Sequence, residues 1–235
     1  MGWLGRYLGI RPSRVWGVPI EQLTLSWHYP AAHGLIRPEG SAIAELRVSP
    51  ALGRDIDRVE AVRLHDRDWL AQWEATLPPG VTEKLPTIEQ YRIKTQREAE
   101  QGITLPMMIE ADGEVIGLVT ASNTVRGAMY MTTLGYWITS EFARLGITSL
   151  AVAAVIDLLI GELGMHRVEI NIRPENTPSL GLAKKLQLRE EGYKKKYMCI
   201  AGRWADHVIF AMDAELLPPG GLVRHLWGDT PVTFP

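Results

Sequence analysis

The chain has 235 residues, 46% of them hydrophobic and 22% charged, with a formal net charge of −2 at pH 7. That length supports one domain with a sizeable core, and the near-neutral charge excludes a general attraction to nucleic acid or to an anionic membrane. The single cysteine, Cys199, excludes an internal disulfide and belongs to no metal motif, and no apolar run reaches membrane-spanning length. Arg6, Arg11 and Arg14 interrupt any signal-peptide core, so a cytoplasmic location is expected.

Residues 1–40 read as an irregular N-terminal extension with three tryptophans, in which Trp3, Leu4, Tyr7 and Leu8 form one face of a short helix. A domain is expected over 41–217. Alternation predicts its first strand over 42–48, and Ile56, Val59 and Val62 predict a helix over 55–64. Trp69 and Trp73 stand four apart, so they share a helix face, either as a core pair or as the wall of a groove. A polar helix is expected over 87–100. Strands over 105–110 and 114–121 meet at the turn Ala111-Asp112-Gly113, and a further strand runs over 129–138.

The most informative stretch follows, from Gly135 to Leu188. A strand ends at Ile138 and leads into a loop containing Arg144, Leu145 and Gly146. The helix over 147–163 is apolar on nearly every face, which predicts burial on both sides. Gly164 ends it. A β-branched strand over 166–172, the turn Arg173-Pro174-Glu175-Asn176 and a second helix over 178–187 complete a strand-helix-strand-helix unit. Such a crossover implies neighbouring parallel strands. Two strands over 193–200 and 204–212 form a hairpin through Ala201-Gly202-Arg203. Pro218-Pro219-Gly220-Gly221 then breaks the chain, and the tail over 218–235 is left open between docking and free. Strands first, one crossover and a final hairpin give an α/β (α+β) domain with a mixed, mostly antiparallel sheet of six or seven strands.

The crossover builds an anion site: the first turn of the 147–163 helix leaves backbone N–H groups without partners, and Gly146 lets the backbone come close to a phosphate. The same features also describe an ordinary buried crossover.

The segments GYWITSEFARLGI, LGMHRVEINIRPENTPS, REEGY and GRWADH, all within 135–207, resemble the GNAT superfamily of acetyl-CoA-dependent N-acyltransferases. More narrowly they resemble the RimJ/RimL type, which acetylates ribosomal-protein N-termini. That resemblance implies a sheet whose central parallel strands splay apart to admit the cofactor arm. It implies that the strand carrying Trp137 and Ile138 supplies backbone bonds to the pantetheine. Arg144, Leu145, Gly146, Ile147, Thr148 and Ser149 would then cradle the pyrophosphate of acetyl-CoA, with no metal. The usual glycine-aromatic pair after the second helix is Gln187-Leu188 here, and a glycine often stands where Arg144 does.

The tyrosine that many members use as general acid is replaced by Ala183. The resemblance moves the acid to Ser179, with Asn176 on the cofactor arm or capping the helix, and Tyr197 in reserve as acid or packed strand tyrosine. Trp69, Trp73 and Tyr136 would line the acceptor groove from opposite sides. The base is not apparent; His166, Glu169, Asp206 and His207 qualify by type.

The expected activity is direct acetyl transfer to a primary amine, foremost a protein N-terminal α-amine such as that of a ribosomal protein, by a monomer or homodimer that makes no direct contact with nucleic acid. The alternatives are a small-molecule amine as acceptor, or a degenerate fold acting as a binding or regulatory module, suggested by Ala143, Arg144, Thr148 and Gln187. The Trp/Arg-rich first thirty residues leave open a peripheral docking protein.

Overall fold

The computed structural model describes residues 16–28, 36–53, 55–84 and 86–228. The short helix expected at Trp3, Leu4, Tyr7 and Leu8 lies outside them. The strands are β1 (Leu25–His28), β2 (Glu45–Pro50), β3 (Leu105–Ala111), β4 (Glu114–Val125), β5 (Met131–Ile138), β6 (Arg167–Ile172), β7 (Arg189–Ile200) and β8 (Arg203–Asp213). They form one mixed sheet in the order β1-β2-β3-β4-β5-β6-β8-β7. Only the β5–β6 neighbours are parallel. Among the described residues the sheet therefore has eight strands, against the six or seven expected. The addition is β1, from the stretch read as irregular, where Leu25 and Trp27 are buried in the core while Ser26 between them is not.

The helices are α1 (Asp55–His65), α2 (Arg67–Leu70) leading into a 3-10 turn (Ala71–Trp73), α3 (Ile88–Glu100), α4 (Ile147–Asp157) ending in a π turn (Leu158–Glu162), α5 (Thr177–Lys185) and α6 (Gly221–Trp227). Thr87 and Gln90 start α3 with a reciprocal capping box. α4 and α5 pack on one face of the sheet, in a core with Val168 and Ile170 of β6 and Phe210 and Met212 of β8. The opposite face carries α1, whose Ile56 and Val59 pack against Met108, Val115 and Trp137. Arg58 of α1 reaches through to the buried carboxylate of Glu110 at 2.7 Å and to Gly113 O at 2.9 Å. That pairing is what makes a charge tolerable there.

The expectation that the 147–163 helix is buried on both sides holds. The sheet covers one side of α4, and α6 covers another with Leu222 and Val223, both buried. The tail thus docks over Gly221–Trp227. Asp157, buried in the otherwise apolar α4, explains how. Its two carboxylate oxygens accept the Leu222 and Val223 N–H groups at 2.7 and 2.9 Å, capping α6 from another element.

Candidate active site

The parallel pair is joined only at its start. β5 bonds to β6 over Met131–Thr133, opposite Arg167–Glu169, and the two strands then part. On its other edge β5 stays paired with β4 as far as Ile138. The β6-facing edge of β5 beyond Thr133 therefore carries backbone groups with no strand partner, at the place where the resemblance requires a gap.

Two positions with left-handed backbone flank this gap. Gly146 (φ 83°) precedes α4 and Arg144 (φ 65°) stands two residues earlier. The N-terminus of α4 has no side-chain cap, whereas α3 and α5 are both capped. Ile147 and Ser149 are buried beside the resulting open N–H groups, and the Arg144 side chain is exposed. Uncapped N–H groups, the helix dipole and a nearby guanidinium suit a pyrophosphate.

On the α4 face of the gap, α5 supplies Ser179. Asn176 caps α5, its Oδ1 accepting the Ser179 N–H at 3.1 Å. The Tyr136 hydroxyl is buried and lacks a hydrogen bond of ordinary length. Burial pushes its pKa up to about 12, moderated by the neighbouring Ser179 side chain. The hydroxyl therefore stays neutral, close to Ser179. An orphaned buried donor of this kind fits a site that holds another polar group.

The opposite face carries a different set. Trp69 donates its indole N–H to Ile138 O at 3.1 Å, tying α2 to the end of β5. Asp66 accepts the N–H and the hydroxyl of Ser140 at 2.5 and 2.8 Å. The 3-10 turn after α2 carries Trp73 away from Trp69 and sets it under the Arg173 guanidinium, 5.5 Å from the ring centroid. Arg173 also donates to Gln72 O at 3.1 Å. Beyond Trp73, the strap through Thr76 clasps the tip of the β7–β8 hairpin: Thr76 N–H donates to Cys199 O at 3.0 Å and Ala201 N–H to Glu74 O at 2.9 Å. Trp69 and Trp73 therefore lie on the α1 face, whereas Tyr136 shares the α4 face with Ser179.

Tyr197 also sits apart from Ser179, on β7. It is partly exposed, with its ring edge-on to His207 at 5.6 Å and the Lys194 ammonium 4.4 Å from its centroid. Among the four candidate bases, His166 is exposed and paired with Glu215 at 3.1 Å. Glu169 is held by Lys194 and Asn171 at 2.8 and 3.0 Å. Asp206 accepts from the Tyr193 hydroxyl at 2.9 Å and the Lys196 N–H at 2.7 Å. His207 is buried, with Nδ1 3.1 Å from Ala205 O. A cavity of about 500 Å³ bounded by Arg58, Val62, Thr139, Ser140 and Phe142 lies against α1, beside the Asp66–Ser140 contact. Among the described residues, no group of three or more His, Cys, Asp or Glu could hold a metal ion, and no helix is long and apolar enough to cross a membrane.

Comparison with known proteins bears on this arrangement directly. The acetyltransferase (GNAT) domain family model matches residues 46–189. The ribosomal protein uS5-alanine N-acetyltransferase of Escherichia coli (strain K12) is 28% identical over 173 residues, covering 71% of this chain and 87% of that protein. The structure of Mycobacterium smegmatis RimJ in complex with CoA-disulfide is 31% identical, with a TM-score of 0.71, covering 86% of this chain and 92% of that one. The ribosomal-protein-S5-alanine acetyltransferase of Vibrio fischeri shares the fold at 23% identity, with a TM-score of 0.65, covering 74% of this chain and 96% of that one. With the splayed strands and the open α4 N-terminus in place, these similarities identify the chain as a member of the GNAT acetyltransferase family.

Proposed function

We propose that this protein transfers the acetyl group of acetyl-CoA to a primary amine, foremost the α-amine of a protein N-terminus. The observation that carries the reading is the parting of β5 from β6 after Thr133, beside an uncapped α4 N-terminus. The uS5-alanine acetyltransferase likeness of the relatives favours a ribosomal protein in the cytoplasm as acceptor.

The bound thioester supplies an activated acetyl group. In this reading the N–H groups of Arg144, Leu145, Gly146, Ile147, Thr148 and Ser149 hold the pyrophosphate. The open edge of β5 beyond Thr133, apart from the Ile138 carbonyl that Trp69 already occupies, orients the pantetheine, with the side-chain amide of Asn176 at the start of α5. Ser179 and the neutral Tyr136 hydroxyl stabilise the departing sulfur on the α4 face. Trp69, Trp73 and Arg173 bound the approach of the amine on the α1 face. The choice of an α-amine has a chemical reason. At pH 7.4 roughly a quarter of α-amines are neutral, against about one lysine in a thousand, so an α-amine makes a lesser demand on a base.

A thermal-shift titration tests the cofactor half: acetyl-CoA at about one hundred times its Kd should add roughly 2.7 kcal/mol of stability. Acetylation of an alanine-initiated hexapeptide, followed by release of free CoA, tests the acceptor half. Stabilisation without turnover on that peptide or on spermine would make the chain a binding module, and no stabilisation would refute the reading.

A further inference from the structure

The gap has two faces, and acetyl transfer needs a proton removed on one and supplied on the other. Val208, Phe210 and Met212 of β8 pack on the α4 side. By strand alternation His207 therefore points to the opposite side, with Glu169 and Asn171 of β6. The pair Ile172–Val208 is the last in the β6–β8 register, so His207 stands beside Arg173 just past the end of β6, one strand over from the gap. The Tyr197 ring lies edge-on to the imidazole at 5.6 Å, and the residue is only 3% exposed.

Ala205 O can only accept, so the 3.1 Å contact places the proton of a neutral ring on Nδ1. That leaves the Nε2 lone pair available, and no hydrogen bond to Nε2 occurs among the described residues. The groups facing the ring are Arg173 and Glu175 from the turn after β6, Asp206 on its own strand, and Tyr197 with Lys194 on β7. Burial, with Arg173 adding to it, holds the imidazole below its ordinary pKa against the opposing bond to Ala205 and the two carboxylates. The ring is therefore neutral at pH 7.5. The other three candidate bases are exposed or already claimed by partners.

We propose that His207 Nε2 is the proton acceptor for the attacking amine, directly or through one water, on the face of the gap opposite Ser179. The proposal rests on the acetyl-transfer reading. His207 takes one proton from the ammonium, freeing the nitrogen lone pair. That pair forms the C–N bond to the acetyl carbon, and the C–S bond breaks with its electrons on sulfur. Ser179 donates a proton to the thiolate and is reprotonated by the second proton released from nitrogen. His207 passes the first to solvent, so an ammonium and a thioester become an amide, a thiol and one free proton.

The first experiment needs neither cofactor nor acceptor. Nitrogen-15 NMR of the histidine rings in the free full-length protein, with His207 assigned by the His207→Asn substitution, should show His207 as the Nδ1–H tautomer at pH 7.5 and titrating below 6.5. An Nε2–H tautomer would overturn the proposal. The second uses the alanine-initiated hexapeptide. His207→Asn keeps a donor for Ala205 O but has no base, and it should lower kcat/KM about a hundredfold while leaving the acetyl-CoA thermal shift unchanged. Its activity should then climb with pH toward the pKa of the peptide amine, whereas the wild type levels off earlier. His207→Gln serves as a second variant if the first melts below the assay temperature. Wild-type turnover with kcat/KM within threefold in the variants, and the same pH profile, would remove His207 and leave the acetyl-transfer reading intact. No turnover by the wild type on the hexapeptide or on spermine would sink both.

Discussion

Asp157 offers a quantitative test of how α6 is held. Burial raises its pKa from the ordinary 3.8 to about 6, although the Leu222 and Val223 N–H bonds pull the other way. A carboxyl with a raised folded pKa holds its proton more tightly when folded. Between pH 4 and pH 6 the folded state therefore binds more protons than the unfolded chain, and stability falls as pH rises through that window. The interval from 3.8 to about 6 corresponds to about 3 kcal/mol, complete above pH 6 and absent below pH 4. Asp157→Asn is nearly isosteric and neutral throughout. It has one acceptor oxygen for two N–H groups, a loss of about 1–3 kcal/mol that sets an offset but not a slope. For a chain of this size, the Tm of the Asp157→Asn protein minus that of the wild type should rise by about 6–12 °C from pH 4 to pH 7. Carboxylates held down by arginines, such as Glu191 between Arg167 and Arg189, contribute equally to both proteins and cancel. Scanning calorimetry at half-unit pH intervals reads the effect. A difference that stays flat with pH would show that the carboxyl is not enclosed between α4 and α6, and the docking of α6 would fall with it.

Three further outcomes follow from the site. Gly146→Val puts a β-branched side chain at φ 83° beside the open N–H groups; it should shrink the acetyl-CoA thermal shift far more than it lowers the unliganded Tm, and equal ligand stabilisation would clear the loop of that role. Gln187 ends α5 at φ 56°, with Leu188 N–H donating to Ala183 O and Gln187 N–H to Lys184 O. Gln187→Gly removes the left-handed cost and should stabilise the protein to urea by about 1 kcal/mol, a gain whose absence would count against that helix end. Ser179→Ala should lower kcat at least about tenfold with little change in acetyl-CoA affinity, and an unchanged kcat would transfer the donor role to Tyr136.

How much of this is legible along the chain depends on the physics each feature uses. The strand-helix-strand-helix unit is readable because hydrophobic period and turn chemistry agree over 135–188. β1 is not: four residues give two inward positions, too few for alternation to stand out beside the prolines and glycines around it. The splay leaves no trace in the period, since Leu134, Tyr136 and Ile138 alternate as any strand would; only the resemblance carries it. Tyr136 is expected across the groove from Trp69 and Trp73 because all three are aromatic and near the expected gap. Period-2 alternation alone, counted from the buried Leu134, puts it on the α4 face with Ser179.

Arg144 and Gln187 stand where the family favours glycine, and both have positive φ. Non-glycine side chains held at these φ values bear a conformational cost, so these departures weigh on stability. The sign that α6 docks is also present in the sequence. Asp157 lies in a helix apolar on nearly every face, and a carboxylate cannot be buried there without donors. A helix N-terminus is the donor set the fold has left, and the Pro218-Pro219-Gly220-Gly221 break places one within reach. His207 is harder. Its residue type marks it as a candidate base, but the neutral tautomer depends on Ala205 O, on burial beside Tyr197 of β7 and on Arg173 from a separate turn. A base made by three elements meeting around one ring has no pattern along the chain.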